Sequence, residues 1–193
     1  MSEEKKLTSL QQFIKDSPIP EDIIAKCLDG EKKNSALDFV AWLQENKLSL
    51  RVSRSSPYLW EAKHKSKTLC HLSINHAELS LGDWGVGIVL TNMDKYSEII
   101  MDKGLQDIIW NGTSYCLYGE RSPYFGMAKA PGCNPKKLCI PGKTINVLGN
   151  DIKYCCVGAN GKLVRFTNPD EITLFGIKTL LTLEQEARNN TAV

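Results

Sequence analysis

Trp60-Glu61-Ala62-Lys63-His64-Lys65-Ser66-Lys67-Thr68-Leu69-Cys70-His71-Leu72-Ser73-Ile74 is the stretch on which the fold turns. The polar run from Lys63 to Lys67 has the composition of a hairpin turn, and alternating residues flank it on both sides. In the second half Leu69 and His71 fall on one face of a strand, and Cys70, Leu72 and Ile74 fall on the other. The same period of two holds upstream at Leu50 and Val52 and at Tyr58 and Trp60. It continues downstream at Leu79 and Leu81 and at Val86, Ile88 and Leu90. Ser55-Ser56-Pro57, Asn75-His76 and Gly82-Asp83-Trp84-Gly85 supply the intervening turns. Short segments joined in this way predict an antiparallel meander over 49–90.

A sheet with one apolar face needs a cover. The spacing predicts an amphipathic helix over 35–47, capped by Ser35, with Leu37, Phe39, Val40 and Leu43 on one side and Trp42 near the edge. Before it, Pro20-Glu21-Asp22 opens a shorter helix that Gly30 closes. After the meander, a helix starting at Asn92 or Asp94 carries Tyr96, Ile99 and Ile100, and another runs from Leu105 to Trp110. Strands are expected at 144–148 and 163–166. A last helix is capped by Asn168, has Pro169 in its first turn, and points Ile172, Phe175, Leu180 and Leu183 inward. The fold class is therefore α+β: an N-terminal helical extension over 1–33, one α+β domain over 34–188 and a tail over 189–193. Residues 111–143, rich in Gly and Pro, form an irregular cysteine-containing insertion.

The bulk numbers narrow the function classes. A chain of 193 residues, 42% hydrophobic and 24% charged, can bury a real core and is neither a disordered nor a membrane composition. The formal charge is +2 with acids and bases interspersed. A nucleic-acid partner normally demands a broader basic stripe. No apolar run reaches membrane-span length, and no apolar segment follows Met1-Ser2-Glu3-Glu4-Lys5-Lys6 as a signal peptide requires. A cytoplasmic protein is expected, in which the seven cysteines stay reduced.

Five of those cysteines fall between Cys116 and Cys156. Cys116, Cys133, Cys139 and one of Cys155 or Cys156, with Cys156 preferred, could supply the four thiolates of a structural zinc site. Against this, Cys133-x5-Cys139 is wider than the usual ligand pair, and buried or free thiols are the plainer reading. Adjacent strand residues face opposite sides, so His71 cannot form a nucleophilic dyad with Cys70. It could pair through the fold with Cys116 or Cys139 in a thiol-dependent enzyme. Gly142-Lys143-Thr144 lacks the upstream glycine of a phosphate loop, since position 137 is Lys. Aromatic side chains with a few polar partners line small-molecule pockets. Tyr58, Trp60, Trp84, Trp110, Tyr124 and Phe125 all fall in strands, helix ends or loops near one region, and are the candidate ligand-binding set. Strands are rich in aromatics in any case, and ordinary packing is the competing account.

Leu37-Asp38-Phe39, Asn46-Lys47-Leu48, Trp60-Glu61-Ala62-Lys63, Thr68-Leu69-Cys70, Cys139-Ile140-Pro141-Gly142-Lys143 and Arg165-Phe166-Thr167-Asn168-Pro169-Asp170 follow one another in an order that resembles a group of small uncharacterised bacterial proteins. The chain from about 37 to 188 is similar to the domain-of-unknown-function 3788 type, related in style to YdhG-like α+β domains. The resemblance implies an antiparallel sheet flanked by helices and no established activity. It also implies a Cys-x-x-Cys where this chain has Cys116-Leu117-Tyr118-Gly119. That departure weakens the metal reading unless Cys133 substitutes.

Three functions follow as expectations. The first is a non-enzymatic module binding a small molecule or a protein partner through an aromatic loop-side face. The second is an interaction protein built around zinc at 116–156, and the third is the thiol-dependent enzyme.

Overall fold

The computed structural model describes residues 12, 16, 18–54, 58–74, 82–113, 144–152 and 163–190. In chain order these form α1 (Pro20–Cys27), α2 (Gly30–Glu45), β1 (Ser49–Val52), β2 (Leu59–His64), β3 (Lys67–Ile74) and β4 (Trp84–Val89). A 3-10 turn (Met93–Tyr96), α3 (Ser97–Asp102), α4 (Gln106–Gly112), β5 (Ile145–Val147), β6 (Asn150–Ile152), β7 (Leu163–Thr167) and α5 (Glu171–Asn189) follow. The protein is α+β: helices accompany an antiparallel five-stranded sheet in the order β1-β2-β3-β4-β7, and β5-β6 make a separate hairpin. The chain divides into two compact units, one of residues 1–87 and 166–174 and the other of residues 88–165 and 175–193.

In the first unit the meander is registered as Leu50↔Ala62↔Cys70 and Val52↔Trp60↔Leu72. Side chains on opposed residues share a face. These six, continued by Ile74, make the apolar face of the sheet. Trp60, Ala62, Cys70, Leu72 and Ile74 are each at most 1% exposed. Helix α2 covers this layer. Its Ala36, Phe39, Val40 and Leu43 are buried, and the Phe39 ring lies 6.1 Å from that of Trp84, on β4. Trp42 stacks on Phe39 at the rim of the helix, near the predicted edge. The helix starts at Gly30 rather than Ser35, because Asp29 O already accepts a bond from Lys33 N–H and adds a first turn. It ends in paired bonds, Leu48 N–H to Leu43 O and Lys47 N–H to Gln44 O, with Lys47 in the left-handed region at φ 58°. This reversal usually takes glycine. It turns the chain straight into β1, with Leu48 buried beneath.

The last helix differs from its expected form at both cap and face. Asp170 rather than Asn168 caps it, accepting from Thr173 N–H at 2.8 Å. Hydrogen bonds from the Thr173 side chain and backbone hold the Asp170 carboxyl below the usual carboxylate range. Asn168 instead takes up φ 44° and accepts from Trp84 N–H at 3.1 Å. Ile172 and Phe175, expected to point inward, are 78% and 71% exposed. The buried stripe is Leu174, Ile177, Leu180, Leu181 and Ala187, which keeps a period of 3.6. Residues 172 and 175 stand about 200° and 100° around the helix from 174.

In the second unit β5 and β6 turn through Leu148 and Gly149, both at positive φ. Such a turn matches the twist of a hairpin, and Asn146 Oδ1 receives Gly149 N–H across it. The strand expected at 144–148 is β5, and β6 pairs with it.

Candidate functional site

β1 is an outer strand of the sheet. The hydrogen bond from Ser53 N–H to Leu59 O, 2.8 Å, fixes which of its backbone groups face inward. In an antiparallel pair bonded and non-bonded positions alternate. Ser53, Arg51 and Ser49 therefore bond to β2, while the N–H and C=O of Leu50 and Val52 point away from the sheet. Among the described residues no strand pairs with this side.

Two hollows lie along that edge. One, about 520 Å³, is lined by Ile19, Pro20, Glu21, Gln44, Lys47, Leu48, Ser49 and Leu50. The other, about 330 Å³, is lined by Pro18, Ile19, Pro20, Leu50, Arg51, Val52, Arg54 and Trp60. Ile19, Pro20 and Leu50 belong to both, so the hollows adjoin. Pro18-Ile19-Pro20 forms one wall because Trp60 Nε1 donates to Pro18 O at 3.0 Å and Pro20 is buried at the start of α1. Gln44 Nε2 donates to Glu21 Oε1 at 2.6 Å and ties the start of α1 to the last turn of α2. Ile19, between the hollows, is 55% exposed.

The charge along the edge is one-sided. Lys47, Arg51 and Arg54 line the hollows against one acid, Glu21, which Gln44 already holds. On the polar face of the sheet Arg51 stands in register with Glu61 and His71. Glu61 itself bonds Lys63 at 2.8 Å, and this contact, assisted by Ser53 and the nearby His71, lowers its pKa.

Four of the six candidate aromatics fall among the described residues, each in its own setting. Trp60 reaches the second hollow at its base, with 1% exposure. Tyr58 is exposed just before β2, and its carbonyl accepts from Ile74 N–H. Trp84 is fully buried against Phe39 and is part of the core. Trp110 lies in the second unit, where Nε1 donates to Val147 O at 2.8 Å. Tyr124, Phe125 and the proposed zinc ligands Cys116, Cys133, Cys139 and Cys156 lie outside the described residues, as does Cys155. Among the described residues no three His, Cys, Asp or Glu side chains are grouped to hold a metal. Cys70 sits on the apolar face and His71 on the other; burial pushes the Cys70 thiol up to about 12, too high for a nucleophile at neutral pH. No helix among the described residues is long and apolar enough to cross a membrane.

The sequence reading missed Glu184. This carboxylate is fully buried in the second unit. It accepts from Thr91 Oγ1 at 2.6 Å, Tyr96 Oη at 2.6 Å, Asn92 N–H at 3.0 Å, Asn92 Nδ2 at 2.9 Å and Arg188 Nε at 2.8 Å. Burial alone would raise its pKa, but these donors outweigh burial and hold it at about 2. Burial and the adjacent Glu184 carboxylate push the Tyr96 phenol well up, so it stays a donor. Arg188 Nη2 donates onward to Val89 O at 3.2 Å. The signal was present: Glu184 continues the stripe of Ile177, Leu180 and Leu181, with Arg188 one turn later. The network anchors the turn after β4 to the last helix, and no described hollow opens onto it.

Comparison with family models, with curated proteins and with solved structures finds no match to this chain.

Proposed function

We propose that the protein is a binding module and that its partner is a polypeptide, taken as an added strand at the edge of β1 that no described strand covers. One observation carries this reading: two adjoining hollows flank a strand whose Leu50 and Val52 backbone groups face outward. Strand addition uses those groups for affinity and side pockets for alternate side chains. The lining is suited to that task. It offers aliphatic surface and cationic side chains, and among its residues stands no nucleophile with a base beside it. Such a row of open groups is otherwise a liability that folds cover or blunt.

The test is amide exchange followed by NMR on the full chain, with a neutral seven-residue probe, Ser-Val-Gln-Val-Gln-Val-Ser. Leu50 and Val52 amides should become protected as the peptide is added. Methylating alternate backbone nitrogens of the probe should abolish protection in one phase and spare it in the other, because a strand offers only every second amide to its neighbour. Absence of protection with any of the peptides, at millimolar concentration, defeats the proposal.

A further inference from the structure

We infer that the segment accepted at the β1 edge is acidic at alternate positions, with apolar residues between. This rests on the strand-addition reading and adds to it the chemistry of the partner.

An added strand continues the faces of the sheet, so each of its residues shares a face with the β1 residue opposite. Leu50 and Val52 project on the apolar face; Leu50 lines both hollows and Val52 the second, with Ile19, Pro20 and Trp60. Residues opposite them find aliphatic walls and are apolar. Arg51 projects on the other face. Its cross-strand neighbour Glu61 is bonded to Lys63, and neither Arg51 nor Arg54 has an ion-pair partner among the described residues. A residue opposite Arg51 is therefore best a carboxylate, and Lys47 before the strand and Arg54 after it add positive charge at the two ends of the edge. Opposite charges across a strand pair are favourable and like charges are not.

The same charges disfavour a second copy of the chain. A two-fold pairing of β1 strands that bonds both Leu50 and Val52 places Arg51 directly opposite Arg51 of the other copy. The edge thus refuses its own sequence and selects an acidic one.

The experiment compares two fluorescein-labelled probes of equal length, Ser-Val-Glu-Val-Glu-Val-Ser and Ser-Val-Gln-Val-Gln-Val-Ser, by anisotropy on the full chain. The glutamate peptide should bind about fivefold more tightly at low ionic strength, the yield of one cross-strand ion pair with Arg51 and of the positive charge at Lys47 and Arg54. That preference should shrink as salt is added. It should also collapse in the double variant Arg51→Gln, Arg54→Gln, to which the two peptides should bind equally. Equal affinity of the two peptides for the native chain overturns the inference and leaves strand addition standing. Binding of neither overturns both. A preference that survives in the double variant takes it away from the arginines and refutes the assignment. A peptide-free dimer with protected Leu50 and Val52 amides would make the occupant a second copy, also against the inference.

Discussion

The Glu184 cluster and the β1 edge handle bonding capacity in opposite ways. Around Glu184 five donor contacts converge on one carboxylate that water cannot reach. Along β1 the backbone groups of Leu50 and Val52 face out from an edge that no strand among the described residues covers, with Arg51 and Arg54 exposed along it. A buried charge is tolerated only when it is paired and hydrogen-bonded, so the Glu184 cluster is built for stability and specificity of the fold. The outward groups of β1 leave directional bonding capacity that no described strand uses. The difference separates a structural polar cluster from a candidate binding surface without reference to residue type.

The comparison breaks first at Glu184. Glu184→Ala should lower unfolding free energy by about 3–5 kcal/mol, because Tyr96 and Arg188 lose a buried acceptor and Thr91 and Asn92 lose theirs at its margin. Urea denaturation measures it. A loss under about 1 kcal/mol would mean that water replaces the carboxylate, and the cluster would no longer differ from the edge.

Acid sharpens the same point. Glu184 has a folded pKa near 2 against an ordinary value of 4.5. A lowered folded pKa gives stability that is fully present above the unfolded value and is lost as pH falls through the folded one. The native chain should therefore lose roughly 3 kcal/mol from this group between about pH 4.5 and 2. Glu184→Gln starts lower at neutral pH and should show a flatter acid limb. Parallel acid limbs in the two proteins would remove Glu184 as the cause.

How far all this was legible in sequence depends on the type of signal. The meander was readable because period-two alternation at Leu50, Trp60, Leu72 and Ile88 requires only a local chain and one buried face. The cap of the last helix was misplaced by two residues. Asn168 and Asp170 are both good caps, and only tertiary bonds to Trp84 and Asp83 decide between them. Ile172 and Phe175 were assigned inward on hydrophobicity, although the phase of the stripe excludes them. The β1 site was not visible at all. Ser49-Leu50-Arg51-Val52 reads as a plain strand, and its outer position follows from strand order, which no local pattern encodes. Trp60 was picked for its ring, whereas its part in the site is to hold Pro18 in place.

That last role gives an intermediate effect. Trp60→Phe removes the donor to Pro18 O from a fully packed position and should cost about 1–3 kcal/mol by denaturation. It should also speed amide exchange at Ile19, on the far side of the anchor. Unchanged exchange there would show that 18–20 is held by Pro20 packing alone, and the wall of the hollows would not depend on Trp60.

The smallest effect is the most diagnostic. Arg51→Gln and Arg54→Gln should each leave unfolding free energy within about 0.5 kcal/mol of the native value. Both side chains are exposed and lack an ion-pair partner among the described residues. A surface arginine kept only for the fold would do its work through a partner within the chain, and here Glu61 has been taken by Lys63. If either substitution cost more than about 1 kcal/mol, the arginine would belong to the fold as Arg188 does. The edge and the Glu184 cluster would then be two versions of one structural device. Near-neutral stability, set beside the severe loss expected at Glu184, instead places the arginines where their charge is free to act on a partner.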